Sequence, residues 1–277
     1  MEYIELNCSL PAGEIAFAEI LMARLGELGF ESFEETTEGL LAYIPAQDFD
    51  PAILNTEELW PAGTEVNYTW RLVPDENWNA VWESNFDPVT IAGRCHIRAP
   101  FHPAKNDIEF GIVIEPKMSF GTAHHETTSL MIEVMLETEM AGRKVLDMGC
   151  GTGVLAILAA MRRAAEVTAI DNDEWAYHNA LENVQRNKQP GISVYQGDAG
   201  MLKNLRFDVI IANINRNILL NDMQSYVNCL DSGGLLLMSG FYQEDLPLIT
   251  GKASTLNMLY KSHRVKNNWV VACYTKA

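Results

Sequence analysis

Three glycines at alternating positions follow a short apolar run that ends in an acid, in the stretch VLDMGCGTG. Glycine allows a positive φ and lets a ligand approach the backbone closely. Gly149, Gly151 and Gly153 therefore predict a ligand-binding turn between a strand and a helix. The alternative is a tight turn with nothing bound, and a lone glycine motif leaves that alternative open.

Two further acids end the strands that are predicted to follow this turn. Asp171 lies 22 residues after Gly149, where a carboxylate can bind both hydroxyls of a ribose. Asp198 ends the third predicted strand, where its side chain is expected to meet the edge of an adenine. Polar signals at three successive strand ends predict a nucleoside ligand.

The position of the first acid distinguishes between two kinds of nucleoside cofactor. A dinucleotide fingerprint reads G-x-G-x-x-G and places a pyrophosphate at the helix N-terminus, whereas this stretch reads D-x-G-x-G-x-G. The Asp147 carboxylate would repel a pyrophosphate but accept a hydrogen bond from the ammonium group of an amino acid. We therefore predict S-adenosylmethionine, a methyl donor with a ribose and a methionine tail.

The fourth predicted strand, FDVIIAN, ends at Asn213, beside the expected position of the transferable methyl group. The side-chain oxygen of Asn213 and the carbonyl oxygen of Ile214 are predicted to orient an acceptor amine for in-line displacement. Catalysis would rest on orientation and exclusion of water, and burial would lower the pKa of a lysine amine so that it arrives neutral. The alternative is that Asn213 only caps the strand end.

A second polar cluster reads SFGTAHHETTSL and contains two adjacent histidines followed by a glutamate. Adjacent residues do not share a helical face, and no third ligand follows at a metal spacing, so we predict no metal site. The stretch predicts a glycine-containing loop that enters a helix and brings Thr127 or Thr128 to the cofactor. For His125, a general base and a capping or core histidine both remain open.

The elements that must position these residues alternate between strand and helix from about residue 93. Short β-rich runs separated by helical segments predict an α/β fold with a doubly wound, Rossmann-like sheet buried on both faces. Two strand-like runs flank Lys266-Asn267-Asn268 in the tail, which predicts a C-terminal antiparallel hairpin.

The first 72 residues predict a separate α+β domain. Their elements run β-α-β-β-α-β, with DFDPAILNTEEL as a capped second helix, which is the order of the ferredoxin-like fold. We predict a linker with a short helix, carrying Trp78 and Trp82, over residues 73–92 and a cofactor-binding domain over residues 93–277.

Charge is unevenly distributed along the 277 residues. Residues 1–72 hold fourteen Asp or Glu and two basic residues, which gives −12 of the chain's net charge of −17. Such a module repels phosphate backbones and attracts basic partners, and the alternative is a merely solvated surface.

Location is predicted from what the sequence lacks. The start resembles no secretory signal, and no apolar segment approaches the roughly 20 residues of a spanning helix. Five scattered cysteines without C-x-x-C spacing disfavour a disulfide framework and a zinc site, so we predict a cytoplasmic protein.

Several stretches together resemble the bacterial ribosomal protein L11 methyltransferases, namely FGTAHHETT, VLDMGCGTGVLAI, AIDND, ENVQRN and VIIANINRNIL. The resemblance runs from about Trp78 to the C-terminus and is strongest between Phe120 and Leu220. It implies a seven-stranded methyltransferase sheet preceded by a ferredoxin-like domain that grips the ribosomal protein. The implied activity is S-adenosylmethionine-dependent methylation of lysine ε-amines and of the N-terminal α-amine of that protein.

The resemblance implies four cofactor contacts: Thr128, Gly149, Asp171 and Asn213. The family loop usually reads G-T-G-x-H-P-T-T, whereas this chain has Ala123 for the second glycine and Glu126 for the proline. His124 stands where the family more often has a small or polar residue. If that glycine requires a positive φ, either Ala123 carries strain of about 1 kcal/mol or more, or the loop takes another path.

These observations predict a two-domain protein N-methyltransferase. Six residues are predicted to hold S-adenosylmethionine: Asp147, Gly149, Gly151, Gly153, Asp171 and Asp198. A basic ribosomal protein would bind through the acidic N-terminal domain, without direct contact to nucleic acid. Two alternatives remain: an RNA or small-molecule N-methyltransferase, and a non-catalytic module that binds S-adenosylmethionine. The sequence shows no patch of basic and aromatic residues, which disfavours an RNA substrate. The presence of both ANIN and the glycine turn favours an enzyme over a non-catalytic binding module.

Overall fold

The computed structural model describes residues 3–9, 15–36, 39–55, 59–60, 67–73, 87–115, 117 and 119–277. The chain divides into two compact units, Met1–Asn85 and Phe86–Ala277. The predicted linker helix around Trp78 and Trp82 lies outside the described residues. None of the helices in the described part of the chain has the length and apolar character needed to cross a membrane.

The first unit is built on an antiparallel sheet. Its strands are β1 (Tyr3–Ser9), β2 (Ser32–Thr36), β3 (Gly39–Pro45) and β4 (Asn67–Val73). The strand order is β2-β3-β1-β4, which is the order of the predicted ferredoxin-like fold. Helix α1 (Ile15–Glu27) contributes Leu21 and Leu25, both fully buried, to a core shared with the inward side chains of β1 and β3.

The described part of the predicted second helix, DFDPAILNTEEL, contains a 3₁₀ helix over Pro51–Asn55. Residues 56–58 of that stretch lie outside the described residues. Asp50 Oδ1 accepts a hydrogen bond from Ala52 N at 2.9 Å at the start of the 3₁₀ helix. Proline suits the first helical position because its missing N–H has no intrahelical partner there.

The second unit contains two sheets. A small sheet consists of β5 (Val89–Ile91), β6 (Cys95–Arg98) and β7 (Phe110–Val113). The large sheet consists of β8 (Lys144–Met148), β9 (Glu166–Asp171), β10 (Ile192–Gln196), β11 (Phe207–Asn213), β12 (Leu230–Tyr242), β13 (Met258–Lys266) and β14 (Trp269–Lys276). Its order is β10-β9-β8-β11-β12-β14-β13, and only β14 runs antiparallel to both of its neighbours.

Helices cover both faces of the large sheet. They are α2 (Glu126–Glu137), α3 (Val154–Met161), α4 (Glu174–Arg186), α5 (Arg216–Cys229) and α6 (Leu246–Thr255). Strand β11 shows why its sequence is continuously apolar. Val209 and Ile211 pack into one hydrophobic cluster, whereas Ile210 and Ala212 pack into the other. The predicted doubly wound sheet is confirmed.

The small sheet is absent from the sequence-based prediction. Strand β5 lies inside the range 73–92 that was predicted as a linker, yet it pairs with β6 of the second unit. Cys95, Ile97 and Ile112 are buried in the same core as the large sheet. Strands of three or four residues are too short to show a periodicity, so no pattern distinguished them from a connection.

The predicted C-terminal hairpin is confirmed. Strands β13 and β14 pair antiparallel, and Lys266 is opposite Trp269. The two residues between them, Asn267 and Asn268, have φ of 48° and 67°. A two-residue turn with positive φ at both positions matches the right-handed twist of the strands, and asparagine tolerates that conformation.

Candidate active site

A pocket of about 420 Å³ opens at the carboxyl ends of β8 and β11, where the strand order reverses. Six residues predicted from the sequence line it: Thr127, Gly149, Gly151, Asp171, Asn213 and Ile214. Four other predicted residues do not line it: Thr128, Asp147, Gly153 and Asp198. The strand ends therefore come together as expected, but not every side chain on them reaches the cavity.

The glycine turn requires glycine for two physical reasons. Gly149, Gly151 and Gly153 have φ of 71°, 53° and 77°. A Cβ on Gly149 would lie 2.2 Å from Cγ2 of Ile214, and one on Gly151 would lie 2.2 Å from the carbonyl oxygen of Phe120. Any side chain at these two positions would therefore push the pocket walls apart.

Gly153 serves the packing of helices. It is the N-cap of α3, and a Cβ there would lie 3.4 Å from Cβ of Ala180 on α4. Gly153 thus sets how closely α3 approaches α4, and it is not among the residues that line the pocket.

Asp171 closes the glycine turn. Its Oδ2 accepts a hydrogen bond from Gly151 N at 2.8 Å, and its Oδ1 accepts one from Asp173 N at 3.0 Å. A carboxylate has about four lone-pair sites, so each oxygen can still accept a hydroxyl. The carboxylate is therefore both a structural tie and an available acceptor at the pocket wall.

Asp147 is placed differently from the prediction. It is fully buried, and its Oδ2 accepts a hydrogen bond from Ala156 N in α3 at 3.0 Å. Its Oδ1 has no hydrogen-bond partner within the described part of the chain. Burial above all, together with the charge of Asp171, raises the pKa of Asp147 to about 7. Asp147 does not line the pocket, so its direct contact with an ammonium group stays a prediction.

Asp198 lies at an extension of the cavity. Its Oδ1 accepts a hydrogen bond from Gly200 N at 2.8 Å and caps the 3₁₀ helix Ala199–Leu202. It lines a second groove of about 570 Å³, which shares Asn172 and Ile218 with the first pocket. Asp198 is thus beside the pocket rather than in its wall.

Asn213 has an unsatisfied acceptor. It is 7% exposed, and its Nδ2 donates to Thr128 Oγ1 at 3.2 Å. Its Oδ1 has no hydrogen-bond partner among the residues that the structure describes. Such a buried acceptor costs about 1–3 kcal/mol, which a ligand N–H would recover. The cap of α5 is Asn215, whose Oδ1 accepts from Ile218 N at 3.1 Å, so Asn213 does not serve as the helix cap.

The neighbouring backbone is held by a glycine that the sequence analysis did not single out. Ile214 N donates to Ser239 O at 3.2 Å. A Cβ on Gly240 would lie 2.2 Å from the carbonyl oxygen of Ile214. Gly240 lines the pocket and lets β12 approach the Ile214 peptide closely. The sequence does offer a signal for this role, because Gly240 is the last residue of the predicted strand GGLLLMSG.

The loop before α2 carries a non-glycine residue at a positive φ. Ala123 has φ of 70° and is buried, so it adopts the conformation that favours glycine. His124 forms hydrogen bonds with Asp87 O at 2.8 Å and with Thr122 Oγ1 at 3.1 Å. The strain at Ala123 is about 1–2 kcal/mol.

His125 is a capping histidine. Its Nδ1 accepts a hydrogen bond from Thr127 N at 3.3 Å as the N-cap of α2. Glu126 begins the helix and accepts a hydrogen bond from Asn267 Nδ2 at 2.9 Å, which lowers the pKa of Glu126. Within the ranges given above, no group of three or more His, Cys, Asp or Glu is arranged to hold a metal ion.

Aromatic rings form the pocket wall that the sequence analysis missed. Ring centroids are 5.2 Å apart for Phe120 and His125, 4.7 Å for His125 and Trp269, and 4.1 Å for Trp269 and Tyr242. Phe120, His125 and Trp269 line the pocket. Phe120 and Trp269 are 149 positions apart, so no local pattern joins them.

Comparison with known proteins places the chain among relatives of similar length. The family model described as "Ribosomal protein L11 methyltransferase (PrmA)" matches residues 22–277. The ribosomal protein L11 methyltransferase of Bacteroides fragilis is 46% identical over 273 residues, which cover 97% of this chain and 98% of the relative. That of Porphyromonas gingivalis is 48% identical over 264 residues, with 93% and 90% covered.

A solved structure shows the same fold. The crystal structure of ribosomal protein L11 methylase from Lactobacillus delbrueckii subsp. bulgaricus superposes with a TM-score of 0.65 at 23% identity. The match covers 69% of this chain and all of that chain. With the family model and the two bacterial relatives, we conclude that the chain belongs to the ribosomal protein L11 methyltransferase family.

Proposed function

We propose that the protein is an S-adenosylmethionine-dependent methyltransferase that methylates amines of ribosomal protein L11. The observation that carries this proposal is the unsatisfied Oδ1 of Asn213, a residue that lines the same pocket as the glycine turn. Methyl transfer requires that the cofactor and the amine be held side by side. The glycine turn would hold the cofactor, and the hydrogen-bond acceptor of Asn213 would hold the amine in the same cavity.

The residues at the pocket fit S-adenosylmethionine. When bound, this cofactor supplies an electrophilic methyl group on a sulfonium. Gly149 and Gly151 leave the backbone accessible, and Asp171 offers lone pairs for ribose hydroxyls. Asp198, in the adjoining groove, would meet the base. Asp147, Gly153 and Thr128 would act indirectly: the first two through the turn and α3, the third through Asn213.

Asn213 and Ile214 are proposed to orient the acceptor. Asn213 Oδ1 would accept a hydrogen bond from the amine N–H and direct the nitrogen lone pair at the methyl carbon. The Ile214 carbonyl would be a second acceptor. Phe120 and Trp269 would exclude water, which disfavours the ammonium form of the amine and keeps its lone pair free. Asn213 and Ile214 would thereby hold a neutral amine with its lone pair directed at the electrophilic methyl group that S-adenosylmethionine would supply.

Lysine ε-amines and the N-terminal α-amine of ribosomal protein L11 are the proposed acceptors, as the family resemblance implies. We further assign binding of this protein to the first unit, without a nucleic-acid contact. The net charge of −12 over residues 1–72 supports this assignment, because ribosomal proteins are typically basic. A cytoplasmic location is consistent with the five cysteines, which are all buried free thiols.

The substrate assignment is testable by charge reversal on the first unit. Glu27, Glu34 and Asp48 are exposed. Replacing all three with lysine should raise KM for ribosomal protein L11 and leave the Kd for S-adenosylhomocysteine unchanged. An unchanged KM would contradict binding through this surface.

The activity is testable by intact mass of ribosomal protein L11 after incubation with enzyme and S-adenosylmethionine. We expect mass gains in steps of one methyl group with the unmodified enzyme and none with Asp171→Ala or Asn213→Ala. Binding of S-adenosylhomocysteine without any mass gain would contradict the substrate and favour an RNA or small-molecule acceptor. Absence of transfer to every amine would favour a binding module.

A further inference from the structure

Three asparagines recur at every fourth position along α4 and its end: Asn179 and Asn183 lie in the helix, and Asn187 is its C-cap. The last two belong to the ENVQRN stretch, to which the proposed function gives no role. Asn179 is 1% exposed and Asn183 is fully buried. Burial of an amide costs free energy that hydrogen bonds offset, so the partners of these amides show what they hold together.

Asn183 joins two segments that are distant in sequence. Its Nδ2 donates to Thr152 O at 3.0 Å and to Asn179 Oδ1 at 2.8 Å. Its Oδ1 accepts from Glu115 N at 2.8 Å. A backbone N–H can only donate and a carbonyl can only accept, so these partners determine the orientation of the amide.

Asn187 makes comparable hydrogen bonds to the end of β7, but it makes none to the glycine turn. Its Oδ1 accepts from Val113 N at 2.8 Å, and its Nδ2 donates to Val113 O at 2.6 Å and to Asn183 O at 2.8 Å. It therefore ties the end of β7 to α4, as Asn183 does at Glu115. Of these two asparagines, only Asn183 also forms a hydrogen bond with the glycine turn, through the carbonyl oxygen of Thr152.

Thr152 carries the connection from Asn183 to the pocket wall. Its N donates to Phe120 O at 2.9 Å, and its Oγ1 donates to Gly121 O at 2.7 Å. Phe120 lines the pocket, and so does Gly151, the residue before Thr152. The carbonyl of Thr152 thus faces Asn183, while its N–H and hydroxyl hold the opposite loop.

We propose that Asn183 is a positioning residue for the cofactor pocket. Through Thr152 it holds the loop that carries Phe120 against the glycine turn, and through Glu115 it anchors the segment that leads to that loop. The inference rests on the proposed function, because it treats this pocket as the place where S-adenosylmethionine binds. Asn183 itself touches no ligand in this scheme.

The test compares Asn183→Ala with Asn187→Ala, a matched control that removes bonds to the same segment but none to Thr152. Both variants should lower the melting temperature. Only Asn183→Ala should raise the Kd for S-adenosylhomocysteine, by about tenfold, in a calorimetric titration. Hydrogen exchange without ligand should accelerate over residues 119–125 in Asn183→Ala and remain unchanged there in Asn187→Ala.

A second variant cuts the same connection if Asn183→Ala does not fold. Thr152→Val keeps the shape of the side chain but removes its bond to Gly121, and it should show the same weakened binding and faster exchange. Equal Kd values for Asn183→Ala and Asn187→Ala would overturn the inference alone. Failure of the unmodified protein to bind S-adenosylhomocysteine would overturn the proposed function, and the inference with it.

Discussion

The two halves of the pocket are satisfied to different degrees before any ligand binds. At the ends of β8 and β9, both oxygens of Asp171 already accept backbone hydrogen bonds. At the end of β11, the Oδ1 of Asn213 lacks a partner in the described ranges, and the wall beside it is aromatic. In the first half, the hydrogen bonds of Asp171 are made within the protein, whereas in the second half Asn213 Oδ1 leaves one hydrogen bond for a ligand to make. Changes in the first half should therefore alter affinity and stability, and changes in the second should alter rate.

Asn213→Ala should have the largest effect. Removal of an orienting acceptor should lower kcat for methylation of ribosomal protein L11 by about 10³-fold, comparable to the loss of one preorganised polar group. The Kd for S-adenosylhomocysteine should change by less than about fivefold, since the glycine turn is untouched. Steady-state kinetics and calorimetry measure the two values. A change in Kd as large as the change in kcat would contradict the claim that the Asn213 half of the pocket acts on rate and not on affinity.

Asp147 is the exception within the first half, because one of its oxygens is buried without a partner. Burial raises its pKa from 3.8 to about 7, so the native state binds this proton more tightly than the unfolded chain. Its contribution to the free energy of unfolding is therefore most favourable below about pH 4, falls as pH rises to about 7, and is constant above that.

Asp147→Asn removes this titration. Relative to the unmodified protein, the variant should gain of the order of 3 kcal/mol between pH 4 and pH 8. Urea unfolding at several pH values measures the difference, from which the other titrating groups cancel. Parallel stability curves for the two proteins would show that Asp147 is ionised at little cost.

Asp171→Asn tests the satisfied half. The amide keeps one acceptor but presents a donor to either Gly151 N or Asp173 N, and it loses the charge that strengthens both bonds. The Kd for S-adenosylhomocysteine should rise about tenfold, with kcat at saturation nearly unchanged. Asp208→Asn is a matched control, because Asp208 also accepts a backbone N–H, from Lys144, at the start of β11. An equal change in both variants would contradict a specific role for Asp171.

Ala123→Gly should have the smallest effect. Glycine removes strain of about 1–2 kcal/mol, but it loses a buried methyl group worth about 0.8 kcal/mol and costs about 0.5–1 kcal/mol in backbone entropy. The free energy of unfolding should therefore change by less than about 1 kcal/mol in thermal or urea unfolding. A gain above about 2 kcal/mol would show that Ala123 strains the loop far more than its φ implies.

The parts of this structure that sequence predicts are those with a local cause. The large sheet follows from apolar strands separated by helices, and the hairpin follows from the two asparagines of its turn. Gly149, Gly151, Asp171 and Asn213 were found because each follows or ends a strand, and parallel strand ends meet at one edge.

What sequence did not predict depends on contacts between distant segments. Position in a motif indicates that Asp147 is near the turn, but not that its side chain points into the core. Phe120 and Trp269 come to the same pocket from distant segments, each against the ring of His125, and α2 packs against the hairpin strands β13 and β14. The partners of Asn183 likewise lie 31 and 68 positions away.

The position of β14 in the large sheet has a consequence for protein synthesis. This strand follows all others of the sheet in sequence, yet it lies between β12 and β13 and carries Trp269 into the pocket. Until it emerges from the ribosome, β12 has an open edge and β13 has no strand to pair with among those of the sheet. The pocket is therefore incomplete until β14 has been synthesised, and a nascent chain that lacks β14 has neither the seven-stranded sheet nor the Trp269 wall of the pocket.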